Sequence, residues 1–170
     1  MARSDAGGGR EPSRGSEQDR EAARQDWLLE ELVSVMNQSA DSSLSIVLTV
    51  KGVVMSGMLI GVRQYFELLG RSLGEGFRNS AVGESSREDA SQVEETYAKI
   101  GRVAQAAFND ETPAHGRGGP QIRFLHLKDP RILVGDQVSQ LNSPVPLVWR
   151  GKLSEVDGFM LGNLTGNLTG

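Results

Sequence analysis

Glu155 and Asp157, two acids one residue apart, are the first place to look for chemistry in this chain. Paired carboxylates can share acid and base work when their surroundings push the two pKa values apart. Here the pair sits in Ser154–Asp157, between the apolar segments PLVWRGKL (146–153) and GFMLGNL (158–164). An Asp-Gly step between two apolar runs predicts a hairpin, and acids are common at such links because they stay solvated and support the turn. The pair therefore reads as turn chemistry. The two histidines are His115, in the loop NDETPAHGRGGP (109–120), and His126, in IRFLHLK (122–128). Neither has ligand-spaced carboxylates around it, so no metal site is expected. His126 reads as a strand residue with one wet face. The serines form no G-x-S-x-G elbow, and the glycines form neither a dinucleotide fingerprint nor a Walker loop. With no cysteine, there is no disulfide, thiolate ligand or cysteine nucleophile. The single GRGG (116–119) reads as a loop. The expectation is no catalytic, cofactor or metal site, hence a scaffold or binding protein and not an enzyme.

The bulk properties narrow the partners. A chain of 170 residues fits one domain with tails. Net charge is −4 and the pI is near 5.3, without the concentrated basic surface that releases counterions from a duplex, so nucleic acid is disfavoured. No apolar run approaches a membrane span, and the first residues carry no apolar core, so no membrane contact or secretory signal is expected. The plain reading is a cytoplasmic protein.

Positioning elements follow from periodicity. Residues 1–25 interleave arginines with Asp5, Glu11, Glu17, Asp19 and Glu21 and offer almost nothing to bury, so a disordered mixed-charge tail is expected. Trp27, Leu28, Leu32, Val35 and Met36 predict a short amphipathic helix over about 26–38, ended by Asn37 and the polar run after it. In LSIVLTVKGVVMSGMLIG (44–61), Ile46, Leu48 and Val50 alternate with Ser45, Thr49 and Lys51. That is strand periodicity, and Lys51-Gly52 is a two-residue turn returning the chain into a second strand. RQYFELLGRSL (63–73) looks helical and is expected to break at Gly74 and Gly76. A second helix over about 86–108 starts at the Ser85/Glu88 capping box and presents Val93, Tyr97, Ile100, Ala104 and Phe108 on one stripe. Strands are predicted at 122–128 and 132–135, broken at Asp129-Pro130, and again at 146–153 and 158–164.

The predicted architecture is α+β: a small bent antiparallel barrel of about five strands, SH3-like or Sm-like, with a short N-terminal helix and a helical insertion at about 62–110. One domain is expected over 26–164, with a flexible tail over 165–170. In the closing segment, Trp149, Leu153, Phe159 and Leu161 should fill the barrel, while Gly151 and Gly158 allow bends. Arg150, Lys152, Glu155 and Asp157 decorate its outside and are the candidates for touching a partner.

FLHLKDPRILVGD (124–136) followed by VWRGKLSEVDGFMLG (148–162) resembles the gas-vesicle accessory protein U family, and LSIVLTVKGVVMSGMLIGVRQYFELL (44–69) is similar to that family's N-terminal block. The resemblance implies a non-enzymatic cytoplasmic protein without cofactors, made alongside the gas-filled shells that give cells buoyancy. It implies gas vesicle shell or other accessory proteins as partners, and a role in vesicle assembly or organisation. Clustering by self-association, as a homo-oligomer or condensate, fits an edge-rich barrel joined to a mixed-charge tail. A folding helper for the hydrophobic shell subunit, using an apolar groove along 86–108, and an Sm-like RNA-binding module stay open as alternatives.

Overall fold

The computed structural model describes residues 26–80, 85–109, 121–140 and 143–164, the side chains of residues 85 and 86 excepted. The expected N-terminal tail, the His115 and GRGG loop, the Ser85 cap side chain and the 165–170 tail lie outside the described residues.

The chain begins with helix α1 (Trp27–Gln38), strands β1 (Ser43–Val50) and β2 (Val53–Ile60), and helices α2 (Val62–Ser80) and α3 (Ser85–Asn109). Strands β3 (Phe124–Val134), β4 (Gln137–Gln140) and β5 (Val148–Lys152) follow, then a 3-10 turn (Leu153–Glu155) and β6 (Val156–Leu161). The architecture is α+β. All six strands join one antiparallel sheet in the order β4-β3-β2-β1-β6. β5 and β4 share the outer side of β3, β5 on Phe124–Lys128 and β4 on Arg131–Val134.

This sheet is open, with one strand more than predicted, and is not a closed barrel. The closing segment also departs from expectation, because its two strands do not form a hairpin. β5 pairs with β3 and β6 pairs with β1, so a three-residue turn carries the chain from one side of the sheet to the other. Leu153 makes that crossing possible. It is buried in the core, and its amide donates to the Arg123 carbonyl at 2.9 Å.

The β1–β2 hairpin forms as the alternation predicts. Val50 pairs with Val53, and Lys51 and Gly52 take positive φ values of 49° and 80°, the geometry of a type I′ turn. Ile46, Leu48, Met55, Leu59, Leu125 and Leu127 form the core face, over which α1 lays Leu29, Val33 and Met36. Asp26 caps α1 by accepting from the Leu28 and Leu29 amides at 2.9 and 3.3 Å. The buried stripe of α1 is Leu29, Val33, Met36 and Asn37, rotated from the predicted one; Trp27, Leu28 and Val35 face solvent. Asn37 does not end the helix. It is buried, and its Oδ1 accepts the Val62 amide at 2.9 Å, satisfying the first turn of α2 from a neighbouring helix.

Gly74 and Gly76 do not break α2, which runs on to Ser80. Gly70 and Gly74, one turn apart, are buried against α3: a Cβ at Gly70 would meet Tyr97 Cβ at 2.8 Å, and one at Gly74 would meet the Glu94 side chain. Gly101 on α3 answers them, pressed against Arg63 and Phe66. Close approach of the two backbones offsets the helix propensity that glycine forfeits. The buried line of α3 is therefore Ala90, Gly101 and Gln105, with Tyr97 and Phe108 half-buried, while Ile100 of the predicted stripe is exposed. The helical pair is anchored: Tyr65 and Leu68 of α2 pack on Ile60, and Gln105 donates to the Gln38 carbonyl at 3.1 Å. Asp129-Pro130 does not split β3 into two strands. Asp129 adopts φ 50°, and the β2 register shifts there as β3 passes from β5 to β4.

Candidate functional site

Residues 148–161 supply both β5 and β6, and β6 ends the sheet path. On β5, Trp149 and Gly151 point to the core face, as their pairing with Leu127 and Leu125 requires. Trp149 packs against the core, and a Cβ on Gly151 would enter its indole ring. Gly151 is thus a slot for the tryptophan and not a bend. Leu153 is buried and Phe159 packs on the core from β6. Leu161 differs from its expected place: it is 59 % exposed, because β6 lies at the sheet margin and, among the described strands, none pairs with its outer side. Its neighbour Met160, on the opposite face, is 61 % exposed. Gly158 is exposed opposite Thr49, and open space surrounds it.

The four candidate partner-contact residues divide into two groups. Glu155 and Asp157 grip the β1–β2 turn. Lys51 Nζ lies 3.0 Å from Glu155 Oε1, and the Gly52 amide donates to Asp157 Oδ2 at 3.2 Å. The two carboxylates are engaged separately, each with its own partner on the β1–β2 turn. Arg150 and Lys152 instead occupy the face of β5 opposite Trp149. The Arg150 guanidinium lies 3.9 Å over the Phe124 ring, a cation–π contact.

Beside Arg150 stands His126, paired with it across β3 and β5. The side expected to be wet is covered. The Tyr65 ring stacks on the imidazole at 4.2 Å and 27°, leaving His126 3 % exposed. Burial, and secondarily the Arg150 charge, lowers its pKa from 6.5 to about 3, so the ring is neutral at physiological pH. Neither ring nitrogen has a hydrogen-bond partner among the described residues. Asn37, Gln121, Arg123 and Phe124 complete a cleft of about 230 Å³ around this corner. Sequence reasoning missed the cleft, because α2 and the end of α3 close it from a distance in the chain. Its local signal was the alternation of Phe124 and His126 on one face of β3, with Arg150 opposite His126.

Among the described residues, no group of three or more His, Cys, Asp or Glu could hold a metal ion, and no helix is long and apolar enough to cross a membrane. No curated protein and no solved structure matches the chain. A family model described as gas vesicle protein GvpU-like matches residues 26–164, which takes in all the elements above. Spanning well over half of the sequence, that match settles the kinship: the chain belongs to the GvpU-like family of gas vesicle proteins.

Proposed function

We propose that this gas-vesicle-related protein is a cytoplasmic, non-enzymatic accessory component that organises vesicles by joining copies of itself through the free margin of β6. The observation that carries the reading is the pair Met160 and Leu161, two large apolar side chains exposed on both faces of an end strand. An unprotected edge strand offers unpaired amides and carbonyls to another strand, and apolar side chains on both faces add burial to that pairing. Of the expected contact residues, Lys152, Glu155 and Asp157 lie on the same segment, where they set the register of a second copy or meet a vesicle shell or accessory protein. The N-terminal mixed-charge segment adds a weaker, salt-sensitive attraction.

Light scattering on the full chain, on a form lacking Met1–Gln25 and on Met160→Lys/Leu161→Lys tests this across a salt series. The full chain should form higher species, the truncated form should retain them with less salt sensitivity, and the double-lysine variant should be monomeric. A full chain that stays monomeric at every salt and concentration overturns the reading. A second reading, a helper that shields the hydrophobic shell subunit, draws on Ile100 and Val103 of α3, exposed by 42 % and 65 %. Co-expression with the shell subunit separates the two: suppressed aggregation that survives the β6 lysines favours the helper.

A further inference from the structure

Independently of the β6 margin, the corner between α1, α2, β3 and β5 has the makings of a binding site. Two guanidinium groups border the cleft, Arg123 and Arg150, and neither pairs with a carboxylate among the described residues. Arg150 Cζ lies 3.9 Å from the centre of the Phe124 ring. Arg123 is held by Gln121, whose Oε1 accepts from Nε at 3.0 Å and from Nη2 at 2.9 Å, which leaves the remaining guanidinium hydrogens available. The cleft floor holds His126, more than nine-tenths buried, with both ring nitrogens unpartnered. An unpartnered buried polar group costs about 1–3 kcal/mol, which an aliphatic side chain at that position would avoid. A ligand that accepts from the imidazole N–H would satisfy one of the two nitrogens and recover part of that cost.

We propose that this cleft binds a single carboxylate carried on a short apolar stem, the side chain of an acidic residue in a partner protein. A planar guanidinium fork matches the two coplanar oxygens of a carboxylate better than a point charge would. The neutral imidazole adds a donor without a third positive charge, and Phe124 and Phe108 supply apolar wall for the stem. A volume of about 230 Å³ holds a side chain and is below the span usual for nucleotide-sized ligands. Two arginines on a chain of net charge −4 offer no track for a polyphosphate backbone, so a nucleic acid is the poorer fit.

The test is an amide NMR titration of the full chain with three probes: N-acetylglutamate methylamide, its glutamine counterpart, and inorganic phosphate. The glutamate probe should give saturable shifts at residues 121–126 and 150, and its affinity should fall about tenfold in Arg150→Gln while staying unchanged in Arg87→Gln, an exposed arginine in the first turn of α3 that does not line the cleft. Should Arg150→Gln lose its dispersed spectrum, Arg123→Gln serves in its place with the same expected loss. Absence of saturation by the glutamate probe, equal binding of the glutamine probe, or saturation by phosphate alone would each overturn the assignment.

Discussion

His126 gives the chain a pH dependence whose size follows from its burial. In the native state the ring takes a proton only near pH 3, whereas an unfolded histidine does so near 6.5. Between those values the unfolded chain binds more protons than the native one, so stability rises with pH there. The contribution is complete above the unfolded pKa and is lost progressively as pH falls from about 6.5 towards about 3. Linkage with those two values makes the native state about 2 kcal/mol weaker at pH 5 than at pH 8, and about 3 kcal/mol weaker at pH 4. Carboxylates titrate in the same range, so the assay must isolate the imidazole. His126→Phe keeps a ring stacked on Tyr65 and removes the titration. Urea unfolding of both proteins at about pH 8, 6 and 5 should show the variant equal to or above the wild type at pH 8, since it no longer buries two unpartnered nitrogens. The gap should then widen by about 2 kcal/mol by pH 5. Parallel pH curves, or a native-state His126 that titrates near 6.5 by NMR, would refute the burial argument.

The glycines of α2 should part company on substitution. Gly70→Ala drives a Cβ to 2.8 Å from that of Tyr97, and overpacking of about 1–3 kcal/mol outweighs the roughly 1 kcal/mol of helix propensity gained, so the urea midpoint should fall. Gly76→Ala meets nothing within 4 Å, and the midpoint should rise by about 0.5–1 kcal/mol of stability. At the clasp, Asp157→Ala removes the acceptor of the Gly52 amide and should cost about 1 kcal/mol in the same measurement. Glu155→Ala breaks only an exposed ion pair with Lys51 and should cost about half of that or less.

What the sequence made legible was what depends on neighbours in the chain. The β1–β2 hairpin was readable because alternation fixes which residues face inward and Lys51-Gly52 fixes the turn. Helices at the places of α2 and α3 were readable from their apolar spacing. Faces were harder. The inward line of α1 includes Asn37, a polar residue buried to serve the Val62 amide, and no hydrophobic count assigns it to the core. Gly74 and Gly76 look like breakers from sequence, yet the helix runs through both, and Gly74 is where a second helix lies against it. The Asp157-Gly158 step had the composition of a hairpin, yet β5 and β6 pair with β3 and β1. Strand partners are set by long-range closure, which turn chemistry alone does not encode. His126 was misread for the same reason: the ring that covers it comes from Tyr65, far earlier in the chain.

The closing segment meets three separate demands, and its unusual composition follows from meeting them in so few residues. Trp149 needs a bare position two residues on to lie flat against the core, and Gly151 is that position. The crossing at Leu153 leaves β6 attached to the sheet on one side alone, so the clasp from Glu155 and Asp157 to the β1–β2 turn holds its near end. That division leaves Met160 and Leu161, at the far end, as the part of β6 least committed to its own fold. Arg150 is spared from the clasp altogether and turns to the opposite face, over Phe124 and beside an imidazole that burial keeps neutral. The proposed edge for copies and the proposed cleft for an acid can therefore be separated by mutation, although one short segment builds parts of both. Loss of one with retention of the other is the physical signature of that arrangement.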